Sequence, residues 1–179
     1  MMTPVKRKGR LFQAVQAGDL EALRAALDQG AEVNVRDASG WSPLHYGVLF
    51  NCAECMRLLI RHGAEVNIGN RYGETPLHWA AMNGHTECAR LLVDLGAEVN
   101  ARSRHGRSSL HTAAAHGHAD CVRLLIEHGT DLSSRDDKGR TAREIALERG
   151  HAECADMLDA RAARQALDDL WVEHAAGRP

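Results

Sequence analysis

Aromatic side chains are scarce in this chain: two Phe, two Tyr and three Trp in 179 residues. A core of ordinary globular type leans on such rings, so small and aliphatic residues must do most of the packing here. Proline is also rare, with four in all. No apolar run reaches the length of a membrane span. Neither sign of charge dominates, since 22 basic residues face 24 acidic ones for a net charge of −2. That balance gives no general attraction to nucleic acid or to a membrane surface. The basic start, Met1 to Arg10, has no apolar stretch behind it, so a secretory signal is not expected. Lys6-Arg7-Lys8 reads as a frayed, solvated end, or as a weak nuclear-import patch. Catalytic signatures are missing too: there is no glycine-rich phosphate loop, no paired catalytic carboxylates and no nucleophile elbow.

What is present is a period. Gly30, Gly63, Gly96 and Gly129 stand thirty-three residues apart. Gly40, Gly73, Gly106 and Gly139 follow the same step, as do Cys55, Cys88, Cys121 and Cys154. His45, His78 and His111 share it, and so do His85, His118 and His151. A fixed period of this size implies a stacked array whose function lies in a surface.

One unit, residues 70–102, shows how the array is built. Gly73 ends a tight turn. Thr75 is placed to cap a helix with Pro76 as its first residue. That helix runs to about Met82 and ends on Gly84 in a left-handed cap. A second helix starts after His85 and buries Cys88, Leu91, Leu92 and Leu95. Residues 37–69 and 103–135 repeat the plan. Residues 10–36 lack the turn and read as an N-terminal cap. Residues 136–160 place charge at Arg143 and Glu144 where inner units are apolar, and read as a C-terminal cap. Residues 1–9 read as a flexible basic end. Residues 161–179 hold an amphipathic helix and tail, with Ala163, Leu167, Leu170 and Trp171 on its apolar side; it extends the C-cap, folds back on it, or docks a second protein.

The Thr-Pro-Leu-His-x-Ala-Ala core at Thr75 to Ala81, with degraded copies from Ser42 and Ser108, resembles the ankyrin repeat. The Gly-Ala-Glu-Val-Asn exits at 30–34, 63–67 and 96–100 carry the same resemblance. It implies an all-α solenoid of stacked helix-turn-helix units joined by β-turn or hairpin loops. It also implies a non-enzymatic interaction module, acting as scaffold, adaptor or inhibitor without a cofactor. The expected partner is a protein, bound by a monomer in the cytoplasm, with the nucleus left open. The repeated His45, His78 and His111 are then expected to tie adjacent units through backbone hydrogen bonds. Asn34, Asn67 and Asn100 read as turn residues bridging their own backbone.

The same resemblance places ligands on the concave face, at the turn tips and the exposed side of each first helix. Two groups of residues stand out there. Trp41, Leu49, Phe50, Tyr72 and Met82 form an apolar cluster on the early units, flanked by Arg71, Glu74 and Asn83. Phe50 has a second reading, as a space-filler at the irregular Asn51-Cys52 junction. Trp79 reads as packing between units. Arg102, Arg104, His105, Arg107, Arg135, Lys138 and Arg140 form a basic stripe on the later tips, near His116. It suits an acidic segment or phosphate, and nucleic acid less well because no aromatics interleave it.

Five cysteines at array positions suggest a reducing compartment rather than a disulfide framework. Cys55 reads as a core thiol. Cys52 stands where other units carry His85, His118 or His151, near a helix start, and reads as the more reactive thiol and the basis of an alternative, redox-responsive role.

Overall fold

The computed structural model describes the backbone of residues 4–176, and of residues 4–8, 169, 170 and 172–176 the backbone alone. Ten helices make five antiparallel pairs among the described residues. The first pair is α1 (Pro4–Ala17) and α2 (Leu20–Asp28). The three inner pairs are α3 (Pro43–Leu49) with α4 (Ala53–Arg61), α5 (Pro76–Asn83) with α6 (Thr86–Asp94), and α7 (Ser109–His116) with α8 (Ala119–Glu127). The last is α9 (Ala142–Glu148) with α10 (Ala152–Ala176).

Helices this short are marginal alone, so their ends and their packing must hold them. Ser42, Thr75, Ser108 and Thr141 cap the first helices with extended backbone. Gly84 and Gly117 close α5 and α7 with φ of 68° and 72°. One continuous core runs through the stack, with Leu77, Leu92, Leu110 and Leu125 fully covered. Each such leucine contributes roughly 1.5–3 kcal/mol by leaving water. Gly47, Ala80, Ala81, Ala113 and Ala114 line the first helices, so that row packs more closely than the row of second helices. The array therefore bends with the first helices inside.

The loops between units are fingers built on one repeated residue. Asp37, Asn70 and Asp136 each accept the backbone N–H groups two and four positions on, at 2.7–3.0 Å. Each finger closes with a backbone bond of 2.9 Å, such as Asn70 N–H to Glu74 O. Neighbouring fingers join through Arg71 N–H to Ser39 O, Arg104 N–H to Tyr72 O and Asp137 N–H to His105 O. No strand forms among the described residues, so the connections are turns.

Four details refine or correct the sequence-based expectation. Helix α1 reaches back to Pro4, into the segment read as a flexible end; residues 1–3 and the side chains of Lys6-Arg7-Lys8 lie outside the described residues. Helix α10 continues past residue 160 without a break, so the tail extends the cap, leaving Leu167 and Trp171 exposed. Leu170 lies outside the described side chains. Leu95 is exposed, because it already belongs to the turn that caps α6. Finally, Asn34, Asn67 and Asn100 bridge to the following unit: Asn67 Nδ2 donates to Gly96 O and its Oδ1 accepts Glu98 N–H, at 3.2 and 2.8 Å. Asn34 and Asn100 make the matching bond to Glu65 N–H and Asp131 N–H.

Candidate interaction surface

The inner side of the bend is formed by the first helices and the fingers. Residues one period apart line it in rows, so each row can be read across the units. One row is Tyr46, Trp79, Thr112 and Ile145, of which Thr112 and Ile145 are buried; another, one step before each cap, is Trp41, Glu74, Arg107 and Arg140. Both rows start aromatic and end aliphatic or charged.

That register brings most of the scarce aromatics together. Trp41 lies against Trp79 with ring centroids 4.2 Å apart, across the junction of two units. Tyr46 meets Trp41 at 5.7 Å and Phe12 at 4.9 Å, both edge-on. Phe50 lies over Tyr46 at 6.3 Å. Five of the chain's seven aromatic residues thus make one band from α1 to α5. Tyr46 Oη donates to Asp37 at 2.9 Å, which ties the band to a finger. Burial, and then that carboxylate, push the Tyr46 phenol up, so it stays a neutral donor. Trp79 Nε1 is covered and has no hydrogen-bond partner among the described residues.

Within the expected apolar cluster the residues differ in access. Trp41, Leu49 and Met82 are half-buried, while Phe50 and Tyr72 are 46% and 56% exposed. Phe50 forms the open end of the band, and Tyr72 stands apart on its finger. Trp79 does pack between units, and it is also part of the band. Asn83 is exposed and donates to Trp79 O at 2.8 Å. Glu74 accepts from Asn70 Nδ2 at 2.9 Å. Phe12 and Tyr46 were missed by sequence reasoning. Tyr46 was legible, since it holds the same register as Trp79; Phe12 sits in a unit without a finger and had no such marker.

The basic stripe divides in two. Asp136 is nearly sealed, with its side chain 2% exposed, and it draws in Arg140 at 2.8 Å and Arg107 at 3.6 Å. Arg140 also meets Glu148 at 2.7 Å, and Arg135 meets Glu144 at 3.3 Å. Arg102 donates to Ser134 Oγ and to the Arg135 carbonyl. Burial alone would raise the Asp136 carboxyl, but the Arg140 side chain and the finger N–H groups outweigh it and hold the group well below the usual carboxylate range. Those arginines are therefore framework as much as surface. Arg71, Arg104 and Lys138 are exposed with no ion-pair partner among the described residues, and His105 is exposed beside them. His116 is exposed at the end of α7; its Nδ1 bonds Thr112 O at 2.9 Å, and its ring lies parallel to His118.

The histidines of the period are structural. Nδ1 of His45, His78 and His111 accepts the N–H of the residue that caps its own helix, at 3.1–3.2 Å. Nε2 then donates to a carbonyl of the next unit: Glu74, Arg107 and Arg140 at 3.0, 2.9 and 3.2 Å. Burial lowers all three, His45 to about 4, which keeps the rings neutral for this double role. The cysteines differ from expectation at one point. Cys52 and Cys55 are joined as a disulfide, while Cys88, Cys121 and Cys154 are buried thiols. Cys52 caps α4, and the start of the helix sets its Cα 5.3 Å from that of Cys55, within reach of such a bond.

A family model described as ankyrin repeats (3 copies) matches residues 11–103 and 101–165. A curated plant protein from Medicago truncatula, "Protein VAPYRIN-LIKE", is 50% identical over 36 residues, 20% of this chain and 8% of that protein. That stretch is about one repeat long, so the chain spans only a small part of this relative.

Proposed function

The chain belongs to the ankyrin-repeat family, a family generally of protein–protein interaction modules, and we propose that it binds a protein partner along the inner face of its array. The partner's apolar side chains rest on the band of Phe12, Trp41, Tyr46, Phe50 and Trp79, with Leu49, Tyr72 and Met82 beside it. Its acidic residues meet Arg71, Arg104, His105 and Lys138 on the fingers. Arg107 and Arg140 line the same face, with much of their charge already answered by Asp136. Glu74, Asn83 and His116 supply polar contacts between the two ends. The protein acts by occupancy, as scaffold, adaptor or inhibitor, in the cytoplasm and as a monomer.

The observation that carries this reading is the aromatic band. Five of the chain's seven aromatic residues touch one another in a single band. Buried-core demand does not explain Phe50, which is nearly half exposed. Exposed aromatics grouped in this way mark binding surfaces, and rings dominate binding energy where they are found. The unpaired cations of the fingers add a graded charge along the same face.

The test is affinity capture with the wild type, Phe50→Ala and Arg104→Glu, followed by titration of the captured protein. Both substitutions should weaken binding, and only the Arg104→Glu loss should shrink as salt rises. Capture unaffected by either change would remove the inner face as the site. Retention of phosphate or a random oligonucleotide, lost on Arg104→Glu and unaffected by Phe50→Ala, would replace the protein reading with the phosphate one.

A further inference from the structure

The second helices of the three later units are capped by His85, His118 and His151, and α4 alone is capped by a cysteine. The same turn of α4 carries the cysteine of the period, so two sulfurs meet here and in no other unit. Four observations describe what this pair can do. Cys52 Sγ accepts the N–H of Cys55 at 3.2 Å, so a thiolate at this position would face the unpaired N–H groups of a helix start. Cys52 is half-exposed while Cys55 is fully buried, so a reagent from solution reaches Cys52 first. The spacing that joins the sulfurs is the ordinary spacing of a helix's first turn, so making or breaking the bond needs no displacement of the chain. And no group of three or more His, Cys, Asp or Glu side chains converges anywhere among the described residues. A structural zinc site would need four such ligands, so the pair has no such set to join.

We propose that Cys52 and Cys55 form a reversible dithiol–disulfide site that exchanges with low-molecular-weight disulfides, with Cys52 as the entering nucleophile and Cys55 as the resolving thiol. In the forward direction the Cys52 thiolate attacks one sulfur of the small disulfide, forming a mixed disulfide and releasing one thiolate. Cys55 loses its proton and attacks Cys52 Sγ, which closes the internal bond and releases the second small thiol. The balance is one protein dithiol oxidised and one small disulfide reduced to two thiols. The reverse runs through the same mixed disulfide at Cys52. The other thiols do not compete: burial pushes Cys88 up to about 11 and raises Cys121 and Cys154, leaving little thiolate and no access. The site lies two residues from Phe50, at the open end of the aromatic band, and it does not depend on that band being a binding surface.

The protein is equilibrated in buffers of reduced and oxidised glutathione at graded ratios, quenched in acid and alkylated, and its peptides are weighed. The expected result is a Cys52–Cys55 disulfide that rises and falls with the ratio, while Cys88, Cys121 and Cys154 stay alkylated throughout. Cys55→Ser should accumulate glutathione on Cys52, and Cys52→Ser should accumulate none on Cys55. Cys55→Ala serves as the second trapping variant, and circular dichroism checks that each variant is folded. The proposal is overturned if the pair stays alkylated at every ratio, if it stays oxidised at every ratio, or if both folded trapping variants leave Cys52 unmodified.

Discussion

Nε2 of His78 donates to the carbonyl of Arg107, one unit further along, at 2.9 Å, while its Nδ1 accepts the N–H of Thr75 at 3.1 Å. One ring thus caps its own helix and pins the next finger. Only the neutral ring with its proton on Nε2 can do both, because a proton on Nδ1 would face the Thr75 N–H. His45 and His111 repeat the arrangement, so three junctions of the array depend on uncharged imidazoles.

Acid should therefore loosen the array before the carboxylates titrate. Burial lowers His45 to about 4 and lowers His78 and His111 as well. An unfolded histidine takes up a proton near 6.5. Each ring's stabilisation is complete above that value and is lost as the pH falls through the folded-state value. For His45 alone the loss approaches about 3 kcal/mol across that window. Urea denaturation at a series of pH values between 7 and 4 checks this, as roughly steady loss of stability; a flat profile would show that the rings ionise as readily in the fold as out of it.

A second interlock joins Gly84 to His118. The His118 ring lies over Gly84, and its Nε2 bonds the Met82 carbonyl at 3.0 Å. A Cβ on Gly84 would come within 2.6 Å of His118 Nδ1, at a φ of +68°. Gly84→Ala should cost about 2 kcal/mol or more from backbone and clash together. The equivalent position one unit earlier is Asn51, already at a φ of 50° and already carrying a Cβ. There the side chain of His85 makes no hydrogen bond among the described residues, and Asn51 Oδ1 accepts from Cys88 Sγ at 3.2 Å instead. Asn51→Gly should shift stability by less than about 1 kcal/mol. Chemical denaturation of both variants reads the contrast, and equal costs would refute the interlock.

The period made most of this legible. Thr75, Pro76 and Gly84 announce a capped helix in any sequence, and the structure puts each where its chemistry demands. The role of the histidines came from the family resemblance and was found as expected. What failed was anything set by contact across units. Asn67 looks like a local turn residue, yet its amide reaches Gly96 and Glu98 because stacking brings the next exit alongside. The basic stripe looked uniform because sequence shows Arg107 and Arg140 but not the sealed carboxylate beneath them. Asp136 is simply the finger-opening residue of its unit, in register with Asp37 and Asn70. Phe12 had no register to announce it, and Cys52 was read alone because its neighbour looked like core.

Asp136 is where a single substitution should cost most among the charged residues. Its carboxylate holds Arg140 and Arg107 and organises the last finger through the N–H groups of Lys138 and Arg140. Asp136→Asn should destabilise by about 3 kcal/mol, since it leaves two guanidinium groups without their shared counter-charge at a covered site. The sign with pH is opposite in origin but alike in direction to that of the histidines. The folded carboxyl sits below its unfolded value near 3.9, so its contribution is present above about pH 4 and fades as the pH falls further. Thermal melts of wild type and variant should converge toward the acid end; a constant gap would mean that charge is not what Asp136 supplies.

The binding face makes its own prediction, in which stability separates the anchors. Trp41 packs on Trp79 across two units, so Trp41→Ala removes a junction contact as well as a binding ring. It should cost about 2–3 kcal/mol of folding stability in addition to about 2 kcal/mol or more of affinity. Phe50 and Tyr72 are each about half exposed, so Phe50→Ala and Tyr72→Ala should cost less than about 1 kcal/mol of stability, well below the cost of Trp41→Ala. If they bind, they lose affinity without that cost, and Phe50 should lose more because Tyr46 supports its ring from beneath. Titration calorimetry beside denaturation measures both quantities for each variant. Full affinity in Phe50→Ala together with a loss in Trp41→Ala that tracks its instability would show that the band is packing rather than a docking surface.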